Sequence, residues 1–125
     1  MDTKGKTILI VDDDEDIREL VEITLEDSKY RLLTAEDGEA GLAAIYEYQP
    51  DLVILDWVMP KLDGLTVLRQ LRKNSFTTGI PVLLLTSEDD TEHQAELRTL
   101  GIFAYLQKPF SPLELIHTVE KALAG

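Results

Sequence analysis

Short apolar runs recur along the chain, and most of them stop abruptly at a polar or charged residue. A continuous hydrophobic run of this length, bounded by polar residues, is typical of a buried strand in a parallel sheet. We predict strands over residues 7–11, 30–35, 51–56, 82–85 and 102–106.

Between these runs, apolar residues recur at helical spacing. Asp14 is placed to cap the first helix, and Ser111 with Glu114 forms a capping box before the last one. The predicted helices cover residues 15–25, 38–48, 64–73, 88–100 and 112–123. Their alternation with the strands predicts an α/β fold, a doubly wound, flavodoxin-like (βα)5 three-layer sandwich. Its five-stranded parallel sheet would have the order 2-1-3-4-5.

Length and composition indicate one globular domain covering residues 1–125, with 44% hydrophobic and 29% charged residues. The net charge of −12 disfavours direct binding to nucleic acid or to an anionic membrane. The chain has no cysteine, which excludes disulfides and thiol chemistry, and it has no apolar segment of membrane-spanning length. We therefore expect a cytoplasmic protein.

Chemically distinctive side chains follow four of the predicted strands. They are Asp12 and Asp13, Asp56, Thr86, and Lys108. The second strand lacks such an end, so we place it at the sheet edge. The carboxyl ends of parallel strands line the ligand crevice, which brings the three carboxylates together. Such a cluster requires a compensating cation, and oxygen ligands with room for water favour Mg²⁺ over Ca²⁺.

Each of these residues alone also has an ordinary structural explanation. Asp56 could simply end a strand, Thr86 is a common β-branched strand residue, and Lys108 could be an exposed lysine before a turn. Tyr105 could be half-buried sheet packing. The histidines His93 and His117 do not follow strands, and we expect both at the surface rather than as metal ligands.

The distinctive residues, in chain order, are Val11-Asp12-Asp13, Leu55-Asp56-Trp57-Val58-Met59-Pro60, Asp63-Gly64, Leu85-Thr86-Ser87, Gly101, Tyr105 and Lys108-Pro109-Phe110. In this order and spacing they resemble the response regulator receiver (CheY-like) family of bacterial two-component phosphorelay systems. The resemblance covers essentially the whole chain.

The resemblance implies that Asp56 accepts a phosphoryl group from a partner histidine kinase or histidine phosphotransfer protein. It further implies that Asp13, Asp56 and the backbone carbonyl of Val58 hold Mg²⁺, with Mn²⁺ as an alternative. Asp12 would act through a bound water. The protein would be a phosphoprotein carrying 4-aspartylphosphate, and not an enzyme beyond self-phosphorylation from a donor and slow self-dephosphorylation.

Thr86 and Lys108 are implied to contact the phosphoryl oxygens, and Tyr105 to be the aromatic that moves with Thr86 on activation. Val58 and Glu88 would flank the path of a hydrolytic water. Phosphorylation would then shift the face formed by the fourth helix, the fifth strand and the fifth helix, and so control an effector domain or protein. The resemblance also implies a cis bond between Lys108 and its following proline.

The segment 102–104 departs from the family pattern. It reads Ile102-Phe103-Ala104 where many DNA-binding members carry acidic residues, and the last helix has no arginine. This disfavours a salt-bridged dimer through that face and leaves a monomer or a phosphorylation-dependent dimer. Phe103 would be a core residue or a contact with another partner. We expect no effector domain within the chain.

The main alternative is a Mg²⁺-dependent aspartyl-phosphate phosphatase of the haloacid dehalogenase class. That class has Asp-x-Asp at its nucleophile, whereas Val58 follows Asp56 by two positions, and the length leaves no room for a cap domain. A flavodoxin-like flavin binder would need a phosphate loop after the first strand. A non-phosphorylated pseudo-receiver that only binds partners remains a further alternative, although no site residue is missing.

Overall fold

The computed structural model describes residues 5–26, 30–59, 62–86 and 94–124. In these residues, strands and helices alternate as predicted. The strands are β1 (Thr7–Val11), β2 (Arg31–Ala35), β3 (Leu52–Asp56), β4 (Val82–Thr86) and β5 (Ala104–Gln107). The helices are α1 (Glu15–Leu25), α2 (Gly38–Tyr48), α3 (Gly64–Lys73), α4 (Gln94–Leu100) and α5 (Pro112–Ala124). None of these helices is long and apolar enough to cross a membrane.

All five strands pair in parallel, in the order β2-β1-β3-β4-β5. The predicted fold is therefore confirmed, including β2 at the edge. Val11 at the end of β1 lies opposite Leu55, and Asp56 at the end of β3 lies opposite Leu85. This register brings the carboxyl ends of the central strands to one edge of the sheet, where the distinctive side chains follow.

The central strands β1, β3 and β4 are almost wholly apolar because both faces of the sheet are covered there. Successive strand residues point to opposite faces, so each of these three strands contributes to two separate cores. One core packs against α1 and α5 and includes Ile8, Ile10, Leu52, Ile54, Leu83 and Leu85. The other packs against α2, α3 and α4 and includes Leu9, Val11, Val53, Leu55, Val82 and Leu84. The central strands are thus fixed from both sides.

Side-chain caps start four of the helices. The carboxylate of Asp14 accepts a hydrogen bond from the N–H of Asp16 at 2.9 Å, as predicted for the start of α1. Asp37 and Asp63 cap α2 and α3 in the same way. Ser111 caps α5, which confirms this part of the predicted capping box. Because each cap fixes where its helix begins, the three aspartates also fix the lengths of the loops after β1, β2 and β3.

The predicted start of the fifth strand was wrong by two residues, since β5 begins at Ala104. Gly101 adopts a φ of +73° at the end of α4, and the chain needs the next two residues to return to the sheet. Ile102 packs against the core beneath α4, so its hydrophobicity reflects loop packing rather than a strand. Phe103 is 43% exposed, which excludes it from the core.

The attachment of α4 to the rest of the fold is largely polar. Residues 88–93, where we predicted the first half of the fourth helix, lie outside the described residues. No described side chain of α4 is buried, although Leu97 and Leu100 are partly so. On its exposed side, the Nε and Nη2 atoms of Arg69 on α3 lie 2.7 and 2.6 Å from one carboxylate oxygen of Glu96.

Arg72, one turn further along α3, makes a second connection to α4. Its guanidinium donates to the carbonyls of Leu100 and Gly101, at the end of α4, at 2.6 and 3.1 Å. It also donates to the carbonyls of Thr78 and Ile80 in the loop before β4, at 3.0 and 2.9 Å. Burial lowers the pKa of Arg72 from its ordinary value. This one side chain therefore ties α3, the loop before β4 and the end of α4 together.

Arg72→Met is expected to lower the free energy of unfolding by about 2–3 kcal/mol, because it leaves four carbonyls, two of them partly buried, without their donor. The matched control is Arg69→Met on the same helix. Its ion pair is solvent-exposed and should contribute only about 0.2–1 kcal/mol. Urea denaturation of the two variants measures both losses. An equal or smaller loss for Arg72→Met would contradict the role assigned to it.

Candidate functional site

Side chains from the ends of three strands meet at one edge of the sheet, where a fourth strand also ends. Asp12 and Asp13 follow β1, and Asp56 is the last residue of β3. Thr86 ends β4, and Lys108 follows β5. The predicted convergence of Asp12, Asp13, Asp56 and Lys108 is therefore present, while Thr86 is placed here only by the end of its strand.

The three carboxylates form a tight cluster. Asp12, Asp13 and Asp56 can each offer one oxygen such that all three oxygens lie within 4.8 Å of one another. Asp12 is fully buried and Asp56 is only 6% exposed, whereas Asp13 is exposed. The cluster is therefore open to solvent on the side of Asp13 and closed behind the other two.

Lys108 carries the cation that faces this cluster. Its Nζ donates to an oxygen of Asp12 at 3.0 Å and to an oxygen of Asp56 at 3.2 Å. The backbone N–H of Lys108 donates to the carbonyl of Thr86 at 2.6 Å, which continues the β4–β5 pairing past the strand. The Lys108–Pro109 peptide bond is cis, as predicted.

The backbone N–H, the backbone carbonyl and both carboxylate oxygens of Asp12 all make hydrogen bonds. Its N–H donates to the carbonyl of Ala35 at 3.2 Å. One carboxylate oxygen accepts from the N–H of Asp14 at 2.9 Å, while the other accepts from Lys108. Its own carbonyl accepts from Nη1 of Arg18 at 2.7 Å. Asp12 is thus a fixed, buried part of the site.

Sequence reasoning had assigned no role to Arg18. The available signal was that it is the one basic residue in α1, whose sequence Glu15–Leu25 otherwise carries only acidic charges. A single basic residue on an acidic helix suggests an electrostatic role. The bond of Arg18 to a backbone carbonyl depends on the conformation of the loop, so residue spacing in the sequence could not predict it.

The charges at the site do not balance. Burial raises the pKa of Asp56 to about 6, with Asp12 raising it as well, Lys108 opposing, and Asp13 adding a smaller increase. Burial acts to lower the pKa of Lys108, but its bond to Asp12 and the charges of both carboxylates raise it overall. The ammonium therefore stays charged, and three carboxylates face one cation.

This donor set fits a divalent cation. Three ionised carboxylates and one ammonium leave a charge of −2, which a divalent ion would neutralise. Carboxylate oxygens are ligands for hard cations, and a site with few protein ligands and access to water suits Mg²⁺. The pKa of Asp56 is raised mainly by burial and also by the neighbouring charge of Asp12, which Lys108 offsets only in part.

The two predicted switch residues lie on neighbouring strands. Tyr105 pairs with Leu84, and Thr86 follows Leu84 by two positions. Because side chains alternate along strands, Thr86 and Tyr105 lie on the same face of the sheet. Tyr105 is 49% exposed and borders a shallow depression together with three residues of the α4–β5 region, which are Leu97, Arg98 and Ile102. The switch roles of Thr86 and Tyr105 stay predictions.

The loop after β3 begins directly beyond Asp56. Val58 lies in it, two residues beyond Asp56, and is 68% exposed; its role at the access path stays a prediction. Gly64 donates its N–H to the carbonyl of Trp57 at 3.1 Å. A Cβ on Gly64 would come within 2.5 Å of the Asp56 carbonyl, so this loop can close only around glycine.

Two further predictions concern residues around the site. Glu88, the second predicted access residue, lies outside the described residues, as does His93. His117 is exposed on α5, which confirms its expected surface position.

Comparison with known proteins identifies relatives over nearly the whole chain. Residues 8–120 match the family model described as the response regulator receiver domain. The phosphate regulon transcriptional regulatory protein PhoB of Pseudomonas aeruginosa is 38% identical over 119 residues, which cover 95% of this chain and 52% of PhoB. The chain spans about half the length of the curated relatives it matches.

Solved structures give the same result. The chemotaxis response regulator CheY4 of Vibrio cholerae is 34% identical with a TM-score of 0.88, covering 96% of this chain and 100% of CheY4. The receiver domain of a sensor histidine kinase from Pseudomonas aeruginosa PAO1 is 25% identical with a TM-score of 0.87, covering 97% and 99%. That structure has a magnesium ion coordinated in its active site cleft.

Asp56→Asn is expected to stabilise the metal-free protein at neutral pH by about 1–3 kcal/mol and to lose this advantage near pH 4. As the pH rises from 3.8 towards about 6, the unfolded chain releases the Asp56 proton before the folded protein does. Each rise in pH within this range therefore lowers the free energy of unfolding of the wild type. This decrease is complete once the pH exceeds the pKa of Asp56 in the folded protein. Urea denaturation in EDTA across this range measures the difference.

The matched control for this experiment is Glu19→Gln, which removes an exposed carboxylate on α1. The difference in free energy of unfolding between Glu19→Gln and the wild type should stay nearly constant over the same pH range. Parallel curves for wild type and Asp56→Asn would contradict the raised pKa of Asp56.

Proposed function

Because this chain belongs to the response regulator receiver family of two-component systems, and so is a phosphoacceptor signalling switch, we propose that Asp56 is its phosphoacceptor. The observation that carries the proposal is the position of Asp56. It is a buried carboxylate at the end of the central strand, in contact with Lys108 and clustered with two further carboxylates. The donor would be a phosphohistidine of a histidine kinase or histidine phosphotransfer protein.

The transfer would need little covalent chemistry from the protein. A carboxylate oxygen of Asp56 forms a bond to phosphorus, while the bond from phosphorus to the donor imidazole breaks and the imidazole leaves with the electron pair. With a pKa of about 6, Asp56 is mostly ionised at neutral pH and available as the nucleophile. Phosphoryl transfer then depends mainly on positioning and on neutralising the oxygens of the group.

Lys108 and Thr86 are proposed to meet the phosphoryl oxygens. Lys108 already contacts Asp56, and its ammonium can remain bound to Asp12 while it turns towards a new anion. Thr86 ends the adjacent strand β4, and its hydroxyl can donate to a phosphoryl oxygen. The ammonium of a lysine suits this task because it is a compact point charge with three donors on a flexible stem.

Mg²⁺ is the proposed cofactor, with Mn²⁺ as an alternative. Asp13, Asp56 and the backbone carbonyl of Val58 would hold it, and Asp12 would act through a water. When bound, the ion would neutralise charge on the phosphoryl group that Lys108 alone leaves uncompensated. The cluster geometry and the magnesium ion in the related receiver domain of the sensor histidine kinase support this choice.

The output is proposed to be a shift of the face formed by α4, β5 and α5. A dianion on Asp56 would favour the arrangement in which Thr86 turns towards it and Tyr105 turns inward. Two observations support this proposal. Thr86 and Tyr105 share one face of the sheet, and α4 next to them has no buried side chain among those described. Weakly packed elements rearrange at the lowest cost.

Receiver domains of transcriptional response regulators are signalling modules rather than typical enzymes. Self-phosphorylation from a donor and slow self-dephosphorylation are proposed as the only reactions here. The haloacid dehalogenase and pseudo-receiver alternatives are not favoured by the comparisons. We further propose that the chain is one cytoplasmic receiver domain, residues 1–125, acting as a monomer or phosphorylation-dependent dimer on an effector domain or protein, and without contacting nucleic acid itself.

Wild-type protein incubated with acetyl phosphate and Mg²⁺ is expected to gain the mass of one phosphoryl group, whereas Asp56→Asn should gain none. The matched control is Asp51→Asn, at the opposite end of the same strand region, which should label as the wild type does. Intact-mass measurement shows the labelling of the wild type and of both variants. Labelling of Asp56→Asn as strong as that of the wild type would refute the assignment, and EDTA should suppress wild-type labelling.

Val58→Asn is expected to shorten the lifetime of the aspartyl phosphate about two- to tenfold. Apolar Val58 can hinder a hydrolytic water but cannot orient it, whereas an amide can hold it by one hydrogen bond. Val58→Ala is the control, since it removes bulk without adding a hydrogen-bonding group. Mass spectra taken after removal of the donor give each lifetime. A Val58→Asn lifetime equal to or longer than that of wild type would exclude this account.

A further inference from the structure

Arg18 contacts the site from behind, through the backbone. It lies in the first turn of α1, is partly buried, and donates from Nη1 to the carbonyl oxygen of Asp12 at 2.7 Å. The roles implied by the sequence use the carboxylates of this loop and leave Arg18 unexplained. Its partner oxygen belongs to the peptide group that joins Asp12 to Asp13.

A donor on that oxygen constrains Asp13 more than Asp12. The side chain of Asp12 is already fixed, because its carboxylate oxygens accept from Asp14 and Lys108. Asp13 is exposed, so no surrounding core holds its side chain in place. The peptide group is planar, so fixing the direction of the Asp12 carbonyl also fixes the direction in which Asp13 leaves it.

We propose that Arg18 is a positioning residue that holds the Asp12–Asp13 peptide so that the exposed Asp13 carboxylate stays directed at a divalent cation shared with Asp56. The inference rests on the proposed cation-dependent function. It assigns Arg18 no contact with the cation or with the phosphoryl group. Groups that orient metal ligands in this way commonly change metal affinity about 10- to 100-fold when they are removed.

The charge of Arg18 acts in the opposite direction. A guanidinium near the cluster repels a cation, so deleting the charge alone would tighten cation binding. Positioning and repulsion thus predict changes of opposite sign for the same substitution. This makes the sign of the effect decisive.

The experiment measures Mg²⁺ affinity by isothermal titration calorimetry on wild type, Arg18→Gln and Arg18→Lys, well below their melting temperatures. Arg18→Gln is expected to bind about 3- to 10-fold more weakly, since the lost repulsion offsets part of the lost positioning. Arg18→Lys keeps the charge and can still donate a hydrogen bond, so its Mg²⁺ affinity should lie between those of the wild type and Arg18→Gln. The control Glu19→Gln changes charge on the same turn and should alter affinity less than twofold.

Labelling rates with acetyl phosphate give a second readout. In Arg18→Gln the Mg²⁺ concentration for half-maximal rate should rise by the same factor, while the rate at saturating Mg²⁺ matches the wild type. Wild-type or tighter affinity in Arg18→Gln would overturn the inference. A reduced maximal rate with unchanged Mg²⁺ dependence would overturn it too, by placing Arg18 at the phosphoryl group. If the wild type itself binds no Mg²⁺, the proposed function fails first.

Discussion

The ammonium of Lys108 lies within 3.2 Å of both Asp12 and Asp56, and the charge balance of the site depends on this contact. The charge of buried Asp12 disfavours the ionised form of Asp56, and the ammonium of Lys108 opposes that effect. Lys108 supplies one positive charge, but Asp13 completes a set of three negative ones. The site is therefore held together by an ion pair and still carries excess negative charge, which suits a site that binds a cation before it accepts an anion.

The contact joins residues that are 96 and 52 positions apart in the chain, so only the sheet can create it. Parallel pairing ends β1 and β3 at the same level, and two hydrophobic cores hold these strands from both faces. The site residues therefore lie at the carboxyl ends of strands that are packed on both faces. The described side chains of α4 are not buried, so this helix can move at a lower cost than the central strands.

The sequence allowed the fold and the strand-end residues to be predicted, because apolar runs and abrupt polar ends are local patterns. Asp12, Asp56 and Lys108 could be placed together once the strand order was known, since parallel strands share a carboxyl edge. The contacts of Arg18 and Arg72 could not be predicted, because both bind backbone carbonyls whose positions depend on loop conformation. The start of β5 was misjudged because Ile102 is hydrophobic for loop packing, which the pattern does not distinguish from a strand.

The two arginines of α3 hold the two ends of α4 by bonds of different kinds. Glu96, near the start, is held by Arg69 through an exposed ion pair that salt screens, whereas the last turn is held by Arg72 through bonds to carbonyls that salt affects far less. If α4 rotates, the contacts of Arg72 would therefore define the pivot. The seven residues of α4 span about 10 Å, so a rotation of about 20° about its last turn would displace its first turn by about 3–4 Å.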